Sequence, residues 1–271
     1  MAAPSFYGAH VRANGIRQHY LRFPGPGRDI VIVPGIVSPA ALWQHVGEFL
    51  QAGFDVRILD VRGRGLSEQG SHLDYRVDAC AADLEAFIAS QALRAPIVIG
   101  HSMGARIAAR LAARGGGIGE LIMLDPPCSG PGKRPYPVPM DRTIKMLEAC
   151  RRGEGDAYLR GANVAPWPEP LLRQRAEWLA TCDPRAVHEA YLDFQEQDFH
   201  ADVAGIACPV TLVPAQASGV ILADELAALQ AGQPALKVVV AEGAAHQMQA
   251  ENIDTFFTLL RTMLPFKETE I

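Results

Sequence analysis

The chain has 271 residues, of which 49% are apolar and 20% charged, and it carries a net charge of −5. This length and apolar content suit one α/β domain with an insertion and a large buried core. An acidic balance without a basic stripe argues against a nucleic-acid partner. No apolar run is long enough to span a membrane, so a membrane partner is not expected either.

Cysteine usage indicates the compartment. The five cysteines are odd in number, lie far apart and form no Cys-x-x-Cys pair. This argues against a disulfide framework and against a zinc site, and is typical of a reducing compartment. The first residues lack a basic segment followed by an apolar core, so no signal peptide is expected. The sequence thus predicts a cytoplasmic protein, and it carries no signal for the oligomeric state.

In chain order, the first predicted element is a β-hairpin across Asn14-Gly15, a pair that readily takes positive φ. Short Val/Ile/Leu-rich runs then predict buried strands at Ile30–Val33, Val56–Val61, Ile97–Ile99, Leu121–Leu124, Val210–Val213 and Leu236–Val240. Helical patterns alternate with them near residues 39–52, 78–91, 103–114, 222–231 and 252–264. The alternation predicts an α/β fold with a mostly parallel sheet flanked by helices.

Residues 127–208 interrupt this alternation, because they show helical patterns but no convincing strand. We predict a helical lid inserted after the strand that ends at Asp125. Residues 1–126 and 209–271 would then form the core domain. The alternative is an ordinary long connection with two helices.

A serine stands at the turn between a predicted strand and a predicted helix, in the sequence I-V-I-G-H-S-M-G-A-R. Such a G-x-S-x-G turn is typical of a nucleophilic serine whose hydroxyl projects from the sheet edge. Side chains at Gly100 or Gly104 would collide with neighbouring backbone at so sharp a turn. We therefore predict Ser102 as a nucleophile; the alternative is a simple strand–helix turn.

A serine nucleophile needs a general base, and the base in turn needs an acid to orient it. Only His246, of the eight histidines, follows the last predicted strand in a turn of small residues. Asp125 ends a parallel strand, at the sheet edge where catalytic groups gather. We predict His246 as the base and Asp125 as the acid, with Asp224 as the alternative acid.

Two backbone N–H groups are needed to stabilise the oxyanion that forms on attack. We predict the N–H groups of Met103, directly after the nucleophile, and of Ile36, in the loop after the first parallel strand. The Gly- and Arg-rich turn at residues 60–67 is expected to brace these loops.

Other chemistries lack a residue that they need. His188-Glu189 is followed by Leu192 where a zinc-binding H-E-x-x-H helix has its second histidine. Gly132-Lys133 is followed by arginine, and no glycine precedes it at the spacing of a phosphate-binding loop. No metal and no cofactor is expected.

Together these residues resemble the α/β-hydrolase superfamily over nearly the whole chain. Several stretches are similar to the N-formylmaleamate deformylases of bacterial nicotinate degradation, among them L-D-V-R-G-R-G-L-S, G-H-S-M-G-A-R and R-A-E-W-L-x-T-C. The resemblance implies hydrolysis of the amide C–N bond of N-formylmaleamate to maleamate and formate by a triad of Ser102, Asp125 and His246. Two stretches depart from the pattern, Ala245-His246-Gln247 and Q-A-S-G-V-I. A carboxylesterase for small esters and a non-catalytic ligand-binding protein stay open as alternatives.

A maleamate-type substrate carries a carboxylate, and burying that charge is costly unless a cation meets it. An arginine fork can hold a carboxylate through two parallel hydrogen bonds. Arg175 is our first candidate, since it lies one helical turn from Trp178. Arg134 and Arg106 are further candidates, and each of the three could instead be a solvated surface residue.

Overall fold

The protein was analysed as a computed structural model, which describes residues 6–161 and 167–266. The remaining residues, 1–5 and 267–271 of the predicted core domain and 162–166 of the predicted lid, lie outside this part.

One eight-stranded sheet organises the described chain. Its strands are β1 (Tyr7–Ala13), β2 (Ile16–Phe23), β3 (Asp29–Val33), β4 (Asp55–Leu59), β5 (Ile97–His101), β6 (Glu120–Leu124), β7 (Val210–Val213) and β8 (Lys237–Val238). Their spatial order is β1-β2-β4-β3-β5-β6-β7-β8. The β1–β2 and β2–β4 pairs are antiparallel and all other pairs are parallel.

Helices cover both faces of this sheet. They are α1 (Gln44–Leu50), α2 (Val77–Ser90), α3 (Met103–Ala113), α4 (Met140–Arg151), α5 (Gly155–Gly161), α6 (Glu169–Trp178), α7 (Pro184–Glu196), α8 (Phe199–Ala204), α9 (Ala223–Gly232), α10 (Met248–Glu251) and α11 (Ile253–Met263). None of the helices in the described residues is both long and apolar enough to cross a membrane.

Alternation along β3 shows why the strands are apolar throughout. Val31 and Val33 pack into the core beside α2 and α3, whereas Ile30 and Ile32 pack into the core beside α1 and α11. A strand buried on both faces needs apolar residues at every position. The predicted α/β fold with a mostly parallel sheet is therefore confirmed.

Individual elements follow the sequence prediction closely. The hairpin is confirmed, with Asn14 at φ 50° and Gly15 at φ 76° in its turn. The last strand is shorter than predicted, as only Lys237–Val238 pairs with β7. The helix predicted over 39–52 begins instead as a 3₁₀ turn at Ala40–Trp43 and continues as α1.

Helices α4 to α8 lie between β6 and β7, in the segment predicted to form a lid; its described residues contain no strand. We call residues 127–208 the helical segment. Its last helix, α8, packs on α3 and α9 and buries Phe199 and Val203 in the core. A lid formed by the helical segment stays a proposal, and in that proposal α8 serves as its attachment to the core.

Candidate active site

Ser102 forms the turn between β5 and α3 by itself. Its backbone is at φ 53° and ψ −116°, a strained conformation for a residue with a side chain. Its N–H donates a hydrogen bond of 2.8 Å to the carbonyl of Leu124 on β6. The residue is almost fully buried, at 2% exposure. The strand–turn–helix context predicted for Ser102 is thus present.

Two glycines make this turn possible. A Cβ at Gly104 would lie 1.9 Å from the carbonyl oxygen of Val33, and one at Gly100 would lie 2.6 Å from the backbone nitrogen of Ala105. Both distances are far below van der Waals contact. The predicted collision is confirmed, and it explains why glycine stands on each side of the serine.

Asp125 follows β6 directly and is fully buried. Its backbone, at φ 43°, donates from N to the carbonyl of Val213 on β7 at 2.9 Å. One carboxylate oxygen, Oδ1, accepts from the N–H of Ala215 at 3.1 Å. The other, Oδ2, lies 2.7 Å from Nδ1 of His246. Asp224, by contrast, is exposed in the first turn of α9.

His246 completes a continuous chain of polar contacts. Its Nε2 lies 3.1 Å from the hydroxyl oxygen of Ser102, while its Nδ1 faces Asp125. Asp125 accepts only, so the network assigns the proton to Nδ1 and leaves Nε2 as the acceptor for the Ser102 hydroxyl. The structure brings together the three residues of the predicted triad in the geometry that a serine nucleophile requires.

His101, next to Ser102, contacts the loop that carries His246. Burial lowers its pKa to about 3, so its ring is neutral at neutral pH. A neutral ring can donate from Nε2 to the carbonyl of His246, which lies 2.8 Å away. The two rings are 4.9 Å apart between centroids. His101 therefore ties the loop that carries His246 to the end of β5.

Arg64 braces the two residues predicted to supply the oxyanion N–H groups. Its guanidinium is buried; Nε donates to the carbonyl of Ile36 at 3.0 Å, and Nη2 lies 3.7 Å from the sulfur of Met103. In the same turn, Asp60 accepts from the N–H of Ala40 at 2.6 Å. The bracing predicted for this turn is confirmed, while the oxyanion role of the two N–H groups stays a prediction.

A cavity of about 640 Å³ opens onto the triad. The sheet side of its wall includes Ile36, Ser102 and His246. The helical segment contributes Tyr136, Val138, Arg142, Tyr158, Arg175 and Tyr191. Small-molecule ligands bind in cavities of this size.

The candidate substrate-binding residues separate into two groups. Arg175 lines the cavity, and its guanidinium stacks 4.4 Å from the ring of Trp167. Trp178, the predicted aromatic neighbour, is not part of the cavity wall and packs against the apolar core on the α1 side. Arg175 therefore lies beside an aromatic ring, as predicted. The ring belongs to Trp167, which precedes α6, and not to Trp178.

Arg106 and Arg134 do not line the cavity, which corrects that part of the sequence analysis. Arg106 is fully buried and donates to the carbonyls of Pro127, Ser129 and Gln197. Arg134 donates to the carbonyl of Val220 and forms an ion pair of 2.9 Å with Glu225. Both guanidinium groups are engaged by protein oxygens and tie the helical segment to the rest of the chain.

Sequence reasoning did not single out several residues of the cavity, among them Tyr136 and Glu251. The hydroxyl of Tyr136 interacts with the side chain of Ser102, and its ring packs edge-on against Tyr191 at 5.2 Å. Glu251 places an oxygen, Oε2, in a buried position without a hydrogen-bond partner. A signal existed for Glu251, because it follows His246 by five residues, whereas nothing in R-P-Y-P marks Tyr136 as a neighbour of the serine.

Comparison with known proteins fits this geometry. Residues 30–255 match the model of the alpha/beta hydrolase family. The chain is 43% identical to an N-formylmaleamate deformylase of Pseudomonas putida, over 92% of this chain and 93% of that protein. The crystal structure of a serine-to-alanine variant of an N-formylmaleamic acid deformylase from Pseudomonas putida superimposes with a TM-score of 0.88 at 42% identity, covering 93% of this chain and 99% of that one.

A more distant structure shares the fold alone. An esterase from Exiguobacterium antarcticum superimposes with a TM-score of 0.80 at 17% identity, covering 95% of this chain and 99% of the esterase. The match of the family model over most of the chain and the identity of the Pseudomonas relative agree with the sheet order and with the serine turn. The chain belongs to the alpha/beta hydrolase family.

Proposed function

We propose that this protein is a serine hydrolase that cleaves the amide C–N bond of N-formylmaleamate, giving maleamate and formate. The observation that carries the proposal is the contact chain from Ser102 through His246 to Asp125, with distances of 3.1 and 2.7 Å, at the floor of the cavity. The 43% identity to a deformylase that spans nearly the whole chain supports this choice of substrate.

In the proposed reaction, the Ser102 hydroxyl attacks the formyl carbon while Nε2 of His246 takes its proton. Asp125 keeps the imidazole in the required tautomer and stabilises the imidazolium that forms. The N–H groups of Ile36 and Met103 are proposed to hold the oxyanion. No metal or cofactor enters any step.

The C–N bond then breaks, and His246 returns its proton to the leaving nitrogen. That nitrogen is also bonded to the second carbonyl, which makes it a better leaving group than an ordinary amine. A water molecule, deprotonated by His246, attacks the formyl ester of Ser102. Formate leaves, and the serine is regenerated.

The test is product identification by mass spectrometry after incubation with N-formylmaleamate. We expect maleamate and one equivalent of formate with the parent protein, and neither with Ser102→Ala. Intact substrate together with rapid hydrolysis of p-nitrophenyl acetate would overturn the deformylase proposal and favour the carboxylesterase alternative. Binding of N-formylmaleamate without turnover of any substrate would favour the ligand-binding alternative.

We further propose that the protein acts in nicotinate degradation in the cytoplasm, with a small-molecule substrate as its partner and without nucleic acid or membrane. The free thiols of Cys80, Cys128, Cys150, Cys182 and Cys208 support a reducing compartment. Fractionation of cells that express the protein from its native gene tests the location.

A further inference from the structure

Besides Arg142, the cavity wall contains Arg175 and Glu251, two charged side chains that the triad does not use. Each has a buried polar atom without a hydrogen-bond partner, Nη1 of Arg175 and Oε2 of Glu251. Buried polar groups in folded proteins are nearly always paired, so an unpaired one in a cavity calls for an explanation. Both atoms belong to charged side chains that line the same cavity, where a bound molecule can supply the missing partners.

Arg175 is packed against an aromatic ring and lines the cavity. The residue is 8% exposed, and the ring of Trp167 covers its guanidinium. Burial lowers its pKa to about 10, so it still carries its positive charge at neutral pH. Stacking on an aromatic ring leaves the edge of the guanidinium free to donate hydrogen bonds. An anion is the partner that such a group favours, and a carboxylate matches its planar fork.

The contrast with Arg106 strengthens this interpretation. Both arginines are buried and stack on aromatic rings, in the case of Arg106 those of Phe194 and Phe199. Arg106 donates to carbonyl oxygens of the protein, whereas Nη1 of Arg175 meets none. The fold therefore satisfies one buried guanidinium with protein oxygens and leaves Nη1 of the other, in a residue that lines the cavity, without a protein partner.

Glu251 is the last residue of α10 and follows His246 by five residues in the sequence. Oε2 of Glu251 does not form a hydrogen bond with Nη1 of Arg175, because neither atom has a hydrogen-bond partner. The two groups nevertheless act on each other electrostatically, and Glu251 also acts on His246. A carboxyl oxygen in the cavity wall can accept a hydrogen bond from an N–H group of a bound molecule.

We propose that Arg175 and Glu251 form a two-point recognition site, in which Arg175 binds a substrate carboxylate and Oε2 of Glu251 accepts the substrate N–H beside the scissile carbonyl. The substrate class is a short carboxylic acid that carries an N-acyl amide nitrogen. This assignment rests on the proposed function, since N-formylmaleamate offers one carboxylate and one such N–H.

The experiment measures kcat/KM for three compounds. N-formylmaleamate carries both recognised groups, (Z)-N-formylbut-2-enamide lacks the carboxylate, and N-formyl-N-methylmaleamate lacks the N–H. The variants are Arg175→Met and Glu251→Leu, which keep side-chain bulk and remove the donor or the acceptor. Arg173→Met on the same helix and Glu242→Leu are matched controls, because both side chains are exposed and lie outside the cavity.

For Arg175→Met we expect kcat/KM for N-formylmaleamate to fall roughly 30-fold or more, mainly through KM, since a hydrogen-bonded charge pair is lost. The fall for (Z)-N-formylbut-2-enamide should be at least tenfold smaller. For Glu251→Leu we expect a loss of roughly tenfold on the two compounds with an N–H and a clearly smaller loss on the N-methyl compound. Glu251→Gln, which keeps an acceptor oxygen, should recover part of that activity.

Equal losses on all three compounds would overturn the proposal, because they would indicate that the helical segment had collapsed. A second measurement separates this proposal from the proposed function: inhibition of p-nitrophenyl formate hydrolysis by maleamate. If N-formylmaleamate is not a substrate but maleamate inhibits the parent and not Arg175→Met, the deformylase proposal fails and the carboxylate site stands. If maleamate inhibits both proteins equally, the carboxylate site is wrong whatever the substrate.

Discussion

The edge of the sheet and the helical segment both contribute to the cavity, but they hold their side chains in different ways. Ser102 and Asp125 are fixed by the backbone, each at positive φ and each hydrogen-bonded through its N–H to the next strand. Tyr136 and Arg175 are fixed by side-chain packing, on Tyr191 and Trp167 respectively. The difference teaches that the proposed reacting groups are placed by the sheet register, whereas the groups proposed to select the substrate depend on the packing of the helices.

We expect three kinds of variant to behave differently. A change at the sheet edge should remove activity toward every substrate equally. A change in the helical segment should alter the preference among substrates. A change at a contact that joins the two regions should lower stability.

Ser102→Ala should lower kcat by a factor of about 10⁶ on N-formylmaleamate and on p-nitrophenyl formate alike, as expected when a nucleophile is removed. The fold should stay intact, because alanine occupies less space at the same turn. Steady-state kinetics with both compounds and a thermal unfolding curve check this. A variant within tenfold of the parent on either compound would rule out Ser102 as the nucleophile.

Asp125→Asn should lower kcat by roughly 10⁴, because the amide favours the wrong tautomer of His246. Asp224→Asn is the matched control and should change kcat less than twofold, since that side chain is exposed and outside the cavity. The two variants should be compared at several pH values with the same substrate. A larger loss in the Asp224 variant would show that the acid had been placed on the wrong strand.

Arg106→Leu tests the hydrogen bonds that join α3 of the core to the helical segment. The change leaves the carbonyls of Pro127, Ser129 and Gln197 buried without their donor, and should lower the free energy of unfolding by about 3 kcal/mol or more. Arg114→Leu, directly after the same helix, removes an ion pair whose arginine side chain is 50% exposed, and should cost less than about 1 kcal/mol.

Urea unfolding measures both variants. Arg106→Leu should also raise KM for N-formylmaleamate more than it lowers kcat for p-nitrophenyl formate, because the loosened helical segment misplaces Arg175. If both arginine variants are equally stable, the contacts of Arg106 do not hold the helical segment in place.

His101→Gln tests how the stability of the sheet edge depends on pH. Burial lowers the pKa of His101 from its ordinary 6.5 to about 3 in the folded state, so the unfolded chain binds a proton more readily between these values. The resulting stability is present above pH 6.5 and is lost as the pH falls toward 3. The slope that this residue contributes is at most about 1.4 kcal/mol per pH unit.

Glutamine does not titrate, so the difference in unfolding free energy between parent and variant should shrink as the pH is lowered from 7 to 4. Urea unfolding at three pH values measures this difference. A difference that is constant with pH would mean that His101 titrates alike in the folded and unfolded states.

Much of the sheet edge could be predicted because its signals are local. Gly100 and Gly104 flank the serine, and the apolar run before them predicts the strand that places it. Asp125 could be predicted because it ends a run of Leu, Ile and Met, and parallel strands bring their carboxyl ends together. In these cases the chemistry and the element that positions it are adjacent in the chain.

The arginines show where prediction from the sequence fails. Arg106 and Arg175 both stand on helices, and the sequence does not tell which of them meets protein oxygens. Gln197, which satisfies Arg106, lies 91 residues further along the chain. The tryptophan predicted from helical spacing was also wrong, because Trp167 reaches the guanidinium from outside α6. Such contacts depend on how distant helices pack, and no local pattern records that.

Because Asp125, the proposed acid, follows β6, the loop after β7 has a different task. In many enzymes of this family the acid follows the strand that corresponds to β7; here the N–H of Ala215 after that strand only donates to the Asp125 carboxylate. The same loop continues into Ala217 and Ser218, two small residues of the cavity wall. In the proposed triad, proton transfer does not depend on their side chains, so we expect that this loop can be widened, narrowed or recharged while the relay stays intact. Protein engineers who want a different acyl group or a longer acid should therefore begin with these two positions.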